Sequence, residues 1–161
     1  MDGARVIEWL KLAAIALVLL ILLTRIPIII ALVKPEEREM PAGCRAGAGA
    51  VRTALLAAPR PVVVDGAPLS SCLTRSSESG DVQQISVDFL EVAVTLSDRA
   101  RVRPEDPAAL QLGYLLGAVA RGASRTQGIH TNMKNRLEQE AQGLEGSRAL
   151  RRSERAGRAT G

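Results

Sequence analysis

Aromatic residues are nearly absent from this chain of 161 residues, since Trp9, Phe89 and Tyr114 are the whole set. A surface that binds nucleic-acid bases by stacking needs several aromatic rings, so this kind of site is disfavoured. The chain also contains only two cysteines and one histidine. This number is too small for the ligand sets of the usual zinc sites. The sequence therefore predicts neither a metal centre nor a cofactor.

Excess charge is missing from the middle of the chain. Residues 34–142 carry 13 basic and 13 acidic side chains, whereas residues 143–161 carry five arginines and two glutamates. The net charge of +4 therefore belongs mainly to the ends. A neutral central region cannot attract a polyanion, so we expect no nucleic-acid partner. The preference for arginine over lysine, together with abundant alanine and glycine, is typical of a GC-rich bacterial genome.

A long aliphatic run, residues 12–33, is the strongest single signal. As a helix it would extend about 33 Å, enough for a hydrocarbon core roughly 30 Å thick. Trp9 and Lys11 precede the run and Lys34 follows it, as expected at the two interfaces of a bilayer. The alternatives are a cleaved signal peptide and a lipoprotein signal ending at Cys44. No small-x-small cleavage site follows the run, and a charged segment separates it from Cys44, so we predict an uncleaved anchor.

The orientation of this anchor is set by weaker evidence. Arg5, Lys11 and the amino terminus precede the run and four basic residues follow it within about twenty positions, so the count slightly favours a cytoplasmic C-terminal side. A short segment before a single anchor and a long domain after it is the usual signal-anchor arrangement, and long domains are translocated largely regardless of charge. We therefore expect the N-terminus in the cytoplasm and the domain outside. The inverted orientation would make the domain a cytoplasmic adaptor.

The predicted fold class is all-α, with a single transmembrane helix followed by a small helical hairpin or three-helix bundle. The predicted divisions are a short N-terminal tail (1–11), the anchor (12–33), a juxtamembrane linker (34–43), a helical domain (44–142) that includes a loop (59–80), and a disordered basic tail (143–161).

The clearest helix of the domain begins near Asp81, which we interpret as an N-cap in a capping box with Gln84. Its apolar residues recur at intervals of three and four, which indicates one buried face. These residues are Val82, Ile85, Phe89, Val92 and Leu96.

A second helical pattern begins at Asp106-Pro107 and is apolar nearly all round as far as Val119. It predicts either one helix of about 35 residues or two helices broken near Gly122 or Gly128. Ala109, Gly113 and Gly117 form a strip of small residues at spacing four. Such a strip would admit a close neighbour, either the predicted helix 46–58 or a second copy of the chain.

The remaining candidate residues are few. Cys44 and Cys72 are predicted to form a disulfide if the domain lies outside the cell. His130 has no nucleophile motif near it in the sequence, so a polar structural role is the simpler interpretation. The simpler interpretation of the tail arginines is that they only keep a flexible terminus soluble, and the alternative is contact with anionic lipid. These arginines are Arg148, Arg151, Arg152, Arg155 and Arg158.

The sequence as a whole favours a non-enzymatic, single-pass membrane protein of a bacterial cell envelope. Its helical domain would mediate protein–protein interaction or self-association. The alternative hypothesis is a membrane-anchored envelope hydrolase with an unrecognised site near His130.

Overall fold

Most of the described chain is helical. The computed structural model describes Leu17 and residues 39–161, except Ser77, Pro104, Glu105 and Gln127. Within that part of the chain, no helix is both long enough and apolar enough to cross a bilayer. The predicted anchor 12–33 lies outside the described residues, apart from Leu17.

The described unit, Glu39–Gly161, contains short elements first and longer helices afterwards. The elements in chain order are α1 (Ala42–Arg45), α2 (Ala48–Ala54), a 3-10 turn (Leu55–Ala57), β1 (Val63–Val64), β2 (Ala67–Pro68), α3 (Ser71–Thr74), α4 (Ser79–Val102), α5 (Ala108–Ser124), α6 (Thr131–Glu140) and α7 (Arg148–Thr160). Four of these helices have ten or more residues. The described residues therefore contain more long helices than the predicted hairpin or three-helix bundle.

Helix α4 buries the predicted apolar stripe. Ile85, Phe89, Val92 and Leu96 are completely buried, and α4 packs against α5. The predicted capping box is wrong, because α4 begins at Ser79 and Asp81 lies inside its first turn. The Asp81 carboxylate instead accepts two hydrogen bonds from Arg45, while Gln84 donates to Asp88 at 3.0 Å.

The loop predicted at 59–80 contains a small β-hairpin. Val63 pairs with Pro68 and Val64 with Ala67, in antiparallel register. Both turn residues, Asp65 and Gly66, have positive φ. This is the geometry of a two-residue turn that suits Asp-Gly, so the hairpin has a direct cause in the sequence.

Helix α5 is buried on nearly every side and ends at Ser124. Asp106 accepts a hydrogen bond from the Ala108 N–H at 2.8 Å, which lowers the pKa of its carboxyl; its ion pair with Arg99 acts in the same direction. The second helical pattern is broken into α5 and α6 around Gly128, whose φ is +89°. Of the two alternatives from the sequence, the structure therefore has the broken one.

The segment 143–161, predicted as a disordered tail, contains helix α7 in the structure. Ser147 caps its start by accepting a hydrogen bond from the Leu150 N–H at 3.3 Å. Leu150, Ser153 and Gly157 face inward and are buried, whereas the arginines lie outside. The prediction of a disordered tail was wrong. It rested on the many arginines, but small residues between them form one face of a helix.

Candidate functional site

Helices α5 and α7 meet with almost no side chain between them. A Cβ atom at Gly113 would overlap the Leu150 carbonyl, and one at Gly117 would overlap the Glu154 carbonyl. Gly157 of α7 has the reciprocal relation to the Tyr114 carbonyl of α5. Small residues at spacing four on both helices permit this approach, so the strip from Ala109 to Gly117 serves the interior of the domain. Its neighbour in the structure is α7, so the predicted neighbour at 46–58 is wrong.

Polar contacts hold the end of α7 in the domain. The Tyr114 hydroxyl accepts a hydrogen bond from the Val62 N–H at 2.9 Å and lies 3.0 Å from the Thr160 hydroxyl. Ser70 donates to the Gly161 carbonyl at 2.6 Å. The Arg121 guanidinium donates to two carbonyls at the end of α7, where a cation also complements the helix dipole.

The two cysteines lie in the first part of the domain, far in sequence from α7. Cys44 of α1 and Cys72 of α3 form a disulfide in the structure, with their Cα atoms 5.6 Å apart. Both are completely buried. A loop of this length contributes roughly 3–4 kcal/mol by the chain-entropy estimate. The bond therefore fixes the short early elements, which have little core of their own.

His130 is buried beside Ser76, a contact that the sequence did not suggest. Its Nε2 lies 3.1 Å from the Ser76 hydroxyl and 3.1 Å from the Leu73 carbonyl. A carbonyl can only accept a hydrogen bond, so Nε2 carries the proton and donates. Ser76 donates its own proton to the same carbonyl at 2.8 Å.

This pair does not have the geometry of a nucleophile and its base. A general base would need an unprotonated nitrogen facing the hydroxyl and a group that orients the other nitrogen. Here Nε2 is a donor, and Nδ1 is buried with no hydrogen-bond partner among the described residues. Burial lowers the pKa of His130, although the Leu73 carbonyl opposes this. The neutral ring therefore links the start of α6 to the turn after α3 by hydrogen bonding.

An open groove of about 530 Å³ runs between α4 and α6. Val87 and Val94 of α4 are 57% and 38% exposed, and Leu90 between them is partly buried. Arg136 of α6 lies on the other wall. This surface was not predicted, because the buried apolar stripe is the stronger pattern in the sequence of α4. The signal was a second set of apolar residues spaced three and four apart.

A further cleft of about 640 Å³ lies where the end of α4 meets the loop before α7. Arg101 and Arg148 line it together with small residues and backbone. Arg101 is already held there, since it donates to the carbonyls of Glu140 and Gln142. Among the described residues, no group of three or more acidic, histidine or cysteine side chains is arranged to hold a metal ion.

The described residues thus define a disulfide-bonded helical domain with one apolar surface groove and one arginine-rich helix. No protein-family model, curated protein or solved structure matches this chain.

Proposed function

We propose that this chain is a non-enzymatic, single-pass protein of a bacterial cell membrane, anchored by residues 12–33. Its domain would lie outside the cytoplasm and bind a helix of another protein in the groove between α4 and α6. The aliphatic run supports the anchor, and the buried disulfide is consistent with an oxidising compartment.

The exposed apolar row on α4 is the observation that carries the interaction. Val87, Leu90 and Val94 are spaced three and four residues apart and so lie on one side of the helix. Exposure of these apolar side chains to water is unfavourable, and α6 forms the other wall of the groove beside them. This arrangement matches the recognition mode in which an amphipathic helix places its apolar face in a groove.

The charge on the groove specifies the partner further. Arg136 lines the groove and has no ion pair among the described residues, and the exposed Glu91 of α4 lines the same groove, so its two walls carry opposite charges. A partner helix with aliphatic residues at i, i+3 and i+7, an acidic residue opposite Arg136 and a basic or neutral residue opposite Glu91 would fit the apolar row and both charges. The groove also lacks aromatic residues, which favours aliphatic partner side chains over flat aromatic ones.

Site-specific photocrosslinking in the host cell tests this groove. A photoreactive amino acid replacing Val87 or Val94 should give the same discrete adduct. The matched control replaces Val63, which is 53% exposed but lies on the hairpin. Arg136→Glu, combined with the probe at Val94, should abolish the adduct because the acidic residue of the partner would then be repelled.

Two results would contradict the proposal. Equal adducts from Val63 and Val94 would mean that the crosslinks report random contact. Retention of the adduct in the Arg136→Glu variant would show that Arg136 does not recognise an acidic residue of the partner. The anchor is tested separately, since the protein should stay with membranes after a carbonate wash.

A further inference from the structure

Helix α7 separates its residues into two opposite faces. Leu150, Ser153 and Gly157 are buried against the domain. On the other side Arg148, Arg151, Arg152 and Arg155 are exposed; we call these four residues the arginine face. Because α7 is docked so closely through its small residues, the arginine face is held on a fixed surface rather than on a flexible tail.

Few acidic groups compensate the charge of this surface. Glu154 pairs with Arg158 at 2.7 Å, and Arg158 lies at the flank of the arginine face. Arg151 donates to the Glu145 backbone carbonyl and has no ion pair among the described residues, although Glu138, Glu145 and Glu154 line the same surface pocket. Arg152 and Arg155 have no hydrogen bond or ion pair among the described residues. Four positive charges therefore remain on one side of a helix of 13 residues.

The length of chain between the predicted anchor and the domain limits how far the start of the domain can be from the lipid. The aliphatic run ends at Val33, and the described unit begins at Glu39. The five residues between them span at most about 20 Å even when fully extended. A domain on such a tether experiences a high effective concentration of the bilayer surface, so weak electrostatic attraction can be enough to dock it.

We propose that the arginine face binds the anionic headgroups of the membrane in which the chain is anchored, and this inference rests on the anchor of the proposed function. Phosphate-bearing headgroups accept hydrogen bonds from guanidinium groups, and basic residues near an anionic surface add their attractions. The arginine face carries no aromatic residue that could stack on bases, which favours lipid over nucleic acid.

Arginine-specific chemical footprinting of the full-length protein in lipid nanodiscs tests this docking. Phenylglyoxal labelling of Arg152 and Arg155 should be at least about threefold slower in discs with anionic phosphatidylglycerol than in purely zwitterionic discs. Exposed Arg52 and Arg103 serve as internal references and should label equally in both. Salt of about 0.5 M should remove the difference, because it screens surface charge over a few ångströms.

A pair of matched variants separates the local effect from total charge. Arg152→Gln/Arg155→Gln and Arg52→Gln/Arg60→Gln each remove two exposed positive charges. Only the first pair should abolish the lipid-dependent protection of Arg148 and Arg151. Equal labelling in both kinds of disc would overturn the docking while the protein remains in the discs. Protection caused by added polyglutamate but not by anionic lipid would also overturn it. Failure of the protein to enter discs at all would overturn the anchor as well.

Discussion

Helix α5 contacts two of its neighbours, α4 and α7, in different ways. Against α4 it forms an ordinary core, in which large side chains such as Phe89 and Leu96 fill the space between helices. Against α7 it uses glycine, so that one backbone lies on the other. The first contact depends on apolar volume, whereas the second depends on the absence of side chains. Removed volume should therefore disrupt the first contact, whereas added volume should disrupt the second.

The largest expected effect is Gly117→Leu, which adds volume where the Glu154 carbonyl already touches the glycine. We expect it to separate α7 from the domain and to lower the free energy of unfolding by at least about 5 kcal/mol, since backbone cannot move aside as a side chain can. Thermal melting followed by circular dichroism measures this. Gly80→Leu is the matched control, because nothing lies within 4 Å of a Cβ there. A Gly117→Leu variant as stable as the Gly80→Leu variant would show that α7 does not dock at α5.

The opposite change tests the α4 contact. Phe89→Ala removes a completely buried ring and should cost about 4 kcal/mol through lost apolar burial and the cavity that remains. Val87→Ala on the exposed side of α4 is the control and should change stability by less than about 0.5 kcal/mol. If the two variants had the same melting temperature, the assignment of the buried face of α4 would be wrong.

These two contacts also explain what could be predicted from the sequence. The buried face of α4 was predicted because Ile85, Phe89, Val92 and Leu96 are large, apolar and periodic. Helix α7 was not predicted, because its buried face contains Ser153 and Gly157, which carry no hydrophobic signal. The spacing of four between Gly113 and Gly117 predicts a close helix contact, and Ser153 and Gly157 repeat this spacing in the arginine-rich segment. This paired spacing is the sequence signal that connects the two helices.

Local turn chemistry and tertiary burial account for the other differences. Asp65-Gly66 is a hairpin signal, but two-residue strands are too short to give a periodic pattern around it. The burial of His130 depends on Leu73 and Ser76, which are more than 50 residues away in the chain. No local pattern reports such a contact. The candidate groove was within reach of the sequence, since Val87, Leu90 and Val94 are themselves periodic.

A smaller effect should distinguish polar support from backbone packing at the α5–α7 contact. Tyr114→Phe leaves the buried Val62 N–H without its acceptor and removes the contact with Thr160. Because an unsatisfied buried donor costs about 1–3 kcal/mol, we expect a loss in this range with α7 still docked. Thr160→Val removes the second contact and the hydrogen bond that Thr160 donates to the Ala156 carbonyl, but it leaves the Val62 N–H satisfied and should cost less. Hydrogen exchange of the α7 amides would reveal whether Tyr114→Phe releases the helix, which would make the hydroxyl, not glycine, its main support.

The smallest expected effect concerns pH and lies away from both helix contacts. His130 is 1% exposed, and burial lowers its pKa below the ordinary value of about 6.5. The unfolded chain therefore binds a proton as the pH falls through about 6.5, while the folded chain resists protonation, so the folded state loses stability on acidification. His130→Gln can still donate to the Leu73 carbonyl but does not titrate. Melting temperatures of both proteins between about pH 8 and pH 5 should show a steeper decline for the wild type. Because carboxyl groups elsewhere affect both proteins alike, parallel curves would mean that His130 becomes protonated in the folded domain as readily as in the unfolded chain.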